Sequence, residues 1–148
     1  MRVVVQRSKE ASVLVADKTV GKIDNGYVLF VGFTNFDNVE IVRKMAKKIV
    51  DLRIFSDENG KMNLDIKSVS GSVLSVSQFT LYASLNGRRP SFTKALSYDE
   101  ALSLYNCFNE ELRSYGIPVE TGEFGAKMEV ALLNDGPITI TIDSKEDL

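Results

Sequence analysis

The sequence predicts an α+β fold: a mostly antiparallel, barrel-like β-sheet with two main helices packed on it, in one domain spanning residues 1–148. Three observations carry this expectation. Segments of strand character outnumber helical ones and come in runs, without regular strand–helix–strand alternation. Two segments show the 3.6-residue apolar period with start and stop residues around them. The length suits one ordinary domain, and no linker, repeat or low-complexity block divides the chain. Closure into a barrel is compatible with this pattern but is not dictated by it.

The elements follow in order. "RVVVQR", from Arg2, is a first strand. "ASVLVADKTVGKID" reads as a hairpin, two alternating runs around Asp17-Lys18. "GYVLFVGFT" is β-branched, aromatic and strongly apolar, the pattern of a central strand. The first helix has Asp37 as its cap, with Glu40 at the capping-box position. Ile41, Met45, Ile49 and Leu52 form its apolar stripe, widened by Val42, Ala46 and Val50. Arg43, Lys44, Lys47 and Lys48 take the other side, as a solvated face or an RNA contact.

"RIFSDENGKMNLDIK" reads as a strand, a tight turn at Glu58-Asn59-Gly60 and a short extended piece. "SGSVLSVSQFTLYA" is the next strand, and "SLNGRRPSFTKALS" is a basic loop. Ser97 and Glu100 open the second helix, with Ala101, Leu104, Tyr105, Phe108, Leu112 and Tyr115 on its apolar face. Gly116 and Pro118 stop it. "PVETGEFG" leads to the strand "AKMEVALLN", "DGP" makes a break, "ITITID" is a last strand, and "SKEDL" is a loose tail.

Composition removes several chemistries. The chain has no histidine and one cysteine. A Ser-His-Asp or Cys-His triad is therefore impossible, as is a His/Cys zinc site or an internal disulfide. Neither a metal nor a cofactor is expected. Cys107 lies in the second helical pattern, where it packs as a small hydrophobe. The N-terminal apolar run is three valines followed by Gln-Arg, which is not a signal sequence. No stretch is long enough to span a membrane, so the expectation is a cytoplasmic protein with no membrane partner. The net charge of −2 argues weakly against nucleic acid, although a local basic patch can still bind phosphate.

Two stretches are chemically odd. In "SVSQFTL", strand alternation puts Gln78, Thr80 and Tyr82 on one face and Ser77, Phe79 and Leu81 on the other. This is an edge strand with a wet face, or half of a reaction site. A threonine hydroxyl is a poor nucleophile without an adjacent base. "NDGPIT" has ordinary turn chemistry. Arg88, Arg89 and Lys94 near Phe92 suit a single-stranded RNA end, or a mobile surface loop.

Taken together, "VVVQR" with "ASV", "RIFSDENGKMNLD", "GSVLSVSQFTL", "RRPSF" and "NDGPIT" resemble, in order and over nearly the whole chain, the D-aminoacyl-tRNA deacylase (D-tyrosyl-tRNA(Tyr) deacylase) family. The resemblance implies hydrolysis of the ester joining a D-amino acid, or glycine mischarged on tRNA-Ala, to the terminal adenosine of tRNA. It implies translational proofreading by a homodimer with its site at the subunit interface and tRNA as partner.

By the same resemblance, Gly136-Pro137 is a cis pair that enters the partner's pocket and rejects L substrates by its backbone, with Arg7 holding it. The implied catalytic set is Ser77, Gln78, Phe79 and Thr80, with backbone N–H groups of Phe79 and Thr80 as oxyanion donors. Thr80 as covalent nucleophile is the rival mechanism. Phe92, stacked on the terminal adenine, and Met128 complete the substrate contacts, and Arg88, Arg89 and Lys94 contact tRNA. Two other readings stay open: an RNA-binding module with the same fold and no turnover, and a hydrolase of small esters.

Overall fold

A computed structural model describes residues 1–148. "RVVVQR" and "ASVLV" are not separate elements. The β-branched alternation runs unbroken through one strand, β1 (Arg2–Val15). A two-residue turn at Ala16-Asp17, with φ of 48° and 64°, leads to β2 (Lys18–Ile23). That left-handed pair matches the twist of a tight hairpin, so the turn sits one residue before the expected Asp17-Lys18.

β3 (Gly26–Gly32) is central, as its apolar run predicts. It pairs antiparallel with β1 and parallel with β6 (Ser72–Ser77), which pairs parallel with β7 (Val119–Thr121). The order is β2-β1-β3-β6-β7, and β8 (Glu129–Asp143) pairs with β1. The sheet is thus antiparallel around β1 and parallel around β6, a mixed sheet curved into a nearly closed barrel. Parallel pairs need long crossovers, and α1 (Val39–Asp51) and α2 (Tyr98–Ser114) lie in them. A small hairpin of β4 (Phe55–Ser56) and β5 (Met62–Leu64) interrupts the first crossover. At the barrel's seam a Cβ on Gly21 would lie 2.5 Å from the Thr121 carbonyl, so glycine lets β2 approach β7.

β3 divides the interior. Tyr27, Leu29 and Val31 face the larger core with Val42, Met45, Ala46 and Ile49 of α1 and Ala101, Tyr105, Phe108 and Leu112 of α2. Val28 faces a smaller core with Ala11, Val13, Ile23, Leu74 and Val76. Each buried Val, Leu, Ile, Met or Phe among them contributes about 1.5–3 kcal/mol by leaving water.

Three local expectations change. Asn38, not Asp37, caps α1, accepting from the Ile41 N–H at 3.0 Å. Asp37 is occupied elsewhere: its carboxylate takes the Thr34 N–H at 2.7 Å and the buried Met1 ammonium at 2.5 Å. A buried cation demands a counter-charge more strongly than a helix demands one particular cap. "DGP" does not separate two strands, because β8 continues through it. The tail is not loose: residues 144–147 form one helical turn, α3 (Ser144–Asp147), with Asp143 accepting from Lys145 N–H and Lys48 donating to the Asp147 carbonyl.

The cations of α1 are all engaged. Lys44 pairs with Glu40, Lys47 with Asp51, Arg43 with Glu111, and Lys48 with α3. This is a solvated face of mutually screened charges. No helix is long and apolar enough to cross a membrane.

Two glycines separate backbone strain from packing. Gly60 has φ of 75° with nothing within 4 Å of a would-be Cβ, whereas Gly26 has φ of 136° with its Cβ position 1.9 Å from the Ser72 carbonyl. Gly60→Ala should cost about 1 kcal/mol, and Gly26→Ala more than about 3 kcal/mol. Urea denaturation of both variants checks this, and equal losses would refute the close β3–β6 approach.

Candidate active site

β6 ends at Ser77, and Phe79–Tyr82 tighten into a 3-10 turn. Gln78 N–H makes a ladder bond to Val31 at 2.8 Å before the chain turns away. A Cβ on Gly32 would lie 2.8 Å from the Gln78 carbonyl, so glycine gives the departing backbone its room. The strand alternation expected for Gln78 and Thr80 is therefore absent. β6 is also no edge strand, since β3 and β7 flank it. Gln78 and Thr80 still meet, because the Gln78 side-chain amide donates to Thr80 Oγ1 across the turn.

Phe79 and Thr80 occupy the first positions of this turn, where backbone N–H groups have no intrahelical acceptor. No side chain caps them.

Arg2 fixes the turn from the opposite end of the sequence. Its Nη1 donates to the Leu81 carbonyl at 2.7 Å, and its guanidinium lies 4.9 Å over the Tyr82 ring. Asp143 holds that guanidinium through Nε at 2.9 Å. Burial disfavours the Asp143 carboxylate, but hydrogen bonds from Lys145 N–H and Arg2, with the charges of Arg2 and the N-terminus, outweigh it and hold its pKa below the usual value. Burial, reinforced by the charges of Asp37 and Asp143, pushes the Tyr82 phenol up, so it stays protonated near neutrality.

Beside the turn opens a cleft of about 620 Å³. Ser77, Gln78 and Phe79 form one wall, Phe92, Ala95 and Leu96 of the basic loop another, and Tyr98, Phe124 and Met128 the rest. Phe79 meets Phe92 edge-on at 5.0 Å, and Tyr98 meets Phe124 edge-on at 5.1 Å. No aspartate, glutamate, lysine or arginine lines it. Such a cavity suits a planar, uncharged group held by aromatic edges and a few polar contacts.

The structure therefore gathers Ser77, Gln78, Phe79, Phe92 and Met128 around one cleft. Thr80 lies in an adjoining shallow depression with Arg2, Thr141 and Asp143. Arg88, Arg89 and Lys94 are exposed on the neighbouring loop and take part in no ion pair.

Gly136, Pro137 and Arg7 lie outside the cleft. The Gly136-Pro137 bond is cis. Arg7, buried with 8% exposure, donates to the Asp135 carbonyl at 3.0 Å and the Ile54 carbonyl at 2.7 Å. Sequence reasoning missed Arg2, Tyr98 and Phe124. Tyr98 was visible as an aromatic in the first turn of α2, whereas Arg2 gained its place only through a contact 79 residues away.

The fold is shared with solved structures. One, "Structural Analysis of a probable eukaryotic D-amino acid tRNA deacylase", aligns with TM-score 0.85 at 19% identity over 95% of this chain and 97% of that one, which shows the fold alone. Another, "c-Myc DNA Unwinding Element Binding Protein", aligns with TM-score 0.92 at 38% identity over 97% and 98% of the two chains. A "D-aminoacyl-tRNA deacylase" from Geobacillus sp. (strain WCH70) is 57% identical over 147 residues, covering 99% of this chain and 97% of that protein. The family model described as D-Tyr-tRNA(Tyr) deacylase matches residues 4–143. The chain belongs to the D-Tyr-tRNA(Tyr) deacylase family, hydrolases that act on ester bonds.

The Asp143 carboxylate gives a pH test of the brace on the turn. Its folded pKa lies below the unfolded 3.8, so its contribution is complete above that value and disappears as pH falls through the folded pKa. The stability advantage of wild type over Asp143→Asn should be constant from neutrality to about pH 5 and shrink below pH 3.8. Urea titrations at several pH values measure it, and a gap unchanged in acid would refute the pairing.

Proposed function

We propose that the protein hydrolyses the ester between a D-amino acid and the terminal adenosine of tRNA, as a cytoplasmic homodimer that proofreads translation. The observation that carries this reading is a cleft with no carboxylate, lysine or arginine in its lining, reaching Phe79 at the start of the 3-10 turn that continues through Thr80. A site of this kind can bind and polarise an ester but cannot deprotonate water. An aminoacyl ester supplies what is lacking, because the neighbouring ribose 2′-hydroxyl assists the attacking water. Water adds to the carbonyl carbon, and the oxyanion accepts from Phe79 and Thr80. The carbonyl re-forms as the ester C–O bond breaks, and the ribose oxygen leaves with the proton. One well-placed donor is worth about 3 kcal/mol of barrier.

Thr80 as nucleophile finds little support. Its oxygen is partnered by the Gln78 amide, and an amide is no base in either orientation. Asp143 shares the depression but is committed to Arg2 and the Lys145 N–H.

The rejection of L substrates is assigned to Gly136-Pro137. That pair lies away from the cleft of its own chain, on β8, whose second edge has no strand partner and whose Leu133 is 59% exposed. A second copy paired along this surface would bring each Gly-Pro corner to the other's cleft. Main chain beside the substrate's α-carbon leaves room for hydrogen and none for a side chain. D-aminoacyl and glycyl esters, including glycine mischarged on tRNA-Ala, then pass, and L esters do not. Phe92 and Met128 contact the substrate end, and Arg88, Arg89 and Lys94 offer unpaired charge to tRNA phosphates.

Purified protein should release amino acid from D-tyrosyl-tRNA at least about a hundredfold faster than from L-tyrosyl-tRNA. Turnover of neither would leave the RNA-binding module, and turnover of free aminoacyl esters without tRNA would favour a small-ester hydrolase. Thr80→Ala should keep kcat within about threefold, against the ~10²–10³ loss expected when an essential catalytic group is removed. Phe92→Ala should raise KM for the charged tRNA about tenfold if the ring stacks on the adenine. An unchanged KM would remove that contact.

A further inference from the structure

We propose that Asn134 is a positioning residue that sets the stereochemical selectivity of this site by closing the neck of the Gly-Pro corner. The inference rests on the deacylase reading above.

The β1–β8 register shows what has to be held. Gln6 faces Thr139, and Ser8 faces Asn134. Between those pairs β1 has one residue, Arg7, while β8 has four, Asp135 to Ile138. The excess must leave the ladder, so the corner lacks the backbone bonds that fix the rest of β8. Gly136 and Pro137 are exposed at its tip.

Side chains replace the missing ladder. Arg7 holds one flank, donating from Nε to the Asp135 carbonyl at 3.0 Å. Asn134 spans the neck: its Oδ1 accepts from the Ile138 N–H at 2.8 Å. Its Nδ2 donates to Thr139 Oγ1 at 2.9 Å, which also accepts from Gln6 Nε2 at 3.2 Å. The amide orientation follows from chemistry, because a backbone N–H can only donate and requires the oxygen. The residue before the bulge is thus tied to its last residue and to the first residue of the resumed ladder.

The two supports are not equivalent. Arg7 fixes where the corner begins, and Asn134 fixes how wide it opens. A wall that admits hydrogen and excludes a methyl must be placed to about 0.5 Å. Losing the neck bond leaves the corner present but loosely placed, and loose placement first loses the exclusion of the larger group.

The test compares initial rates on D- and L-tyrosyl-tRNA for wild type, Asn134→Ala and Asn134→Asp. Asn134→Ala should lower the D-to-L rate ratio at least about tenfold, mainly through a rise in L turnover. Asn134→Asp keeps an acceptor for the Ile138 N–H and should retain most of the ratio. Amide hydrogen exchange gives a readout independent of turnover. The Ile138 N–H should be protected in wild type and Asn134→Asp, and exposed in Asn134→Ala.

An unchanged ratio in Asn134→Ala, a proportional loss of both rates, or an unprotected Ile138 N–H in wild type would overturn the assignment. If Asn134→Ala does not fold, a ratio lost in folded Asn134→Asp despite a protected Ile138 would do the same. Absence of D turnover in wild type would instead sink the deacylase reading itself.

Discussion

β1 is the constraint on which the rest of the structure depends. It is paired along both edges over nearly its whole length, with β2 and β3 on one side and β8 on the other. It also carries the two arginines that hold the segments of interest. Arg7 follows Val3 and Val5 to the buried face, where its charge is satisfied by the carbonyls of Asp135 and Ile54. Arg2 lies on the other face and reaches Leu81 and Asp143. They lie five positions apart on extended chain, and strand alternation sends odd spacings to opposite faces. The 3-10 turn and the Gly-Pro corner are therefore placed from one rigid element, although 54 residues of sequence lie between Tyr82 and Pro137.

The absence of histidine and the form of the cleft point to the same division of labour. An apolar, aromatic cavity strengthens any hydrogen bond made inside it, because no water competes and the local dielectric is low. It would also penalise an ionised general base by desolvation. Backbone N–H groups escape that penalty, since they are dipoles that need no charge. In the proposed reaction the substrate's own hydroxyl takes the proton-handling role. The protein's contribution is placement, and the extensive bracing of the turn and corner then has a chemical purpose.

Much of this architecture was legible in the sequence, and the failures share a cause. The helical stripes, the Gly60 turn and the Gly116 stop are local patterns, and each occupies its expected place. Asp37 and Asn38 are adjacent and equally good caps. What decided between them was the Met1 ammonium, 36 residues away. "SQFTLYA" fits strand alternation as well as a 3-10 turn, and only the ladder's end at Val31 and the grip of Arg2 on Leu81 distinguish them. The parallel pairs around β6 were hidden because a hairpin interrupts the first crossover and a long basic loop precedes α2. "NDGPIT" carries ordinary turn signals, but β1 continues on both sides of it and recaptures the chain, so a turn became a bulge. The motifs of the site were readable as a resemblance, whereas Arg2 and Tyr98 acquired their places only through tertiary contacts.

The proposed use of main chain as a chiral wall has a consequence for what such an enzyme can read. A side-chain wall samples rotamers in picoseconds to nanoseconds and can swing aside for a methyl group. A backbone corner pinned at its neck and flank has no rotamer to change. It yields only if the sheet deforms, and a packed, twice-paired β1 resists deformation. Such a wall is strict about the atom next to the α-carbon and has no contact with the side chain that points away from it. Under the proposed function, selectivity for handedness and indifference to side-chain identity arise from one feature, without a separate pocket for each D-amino acid.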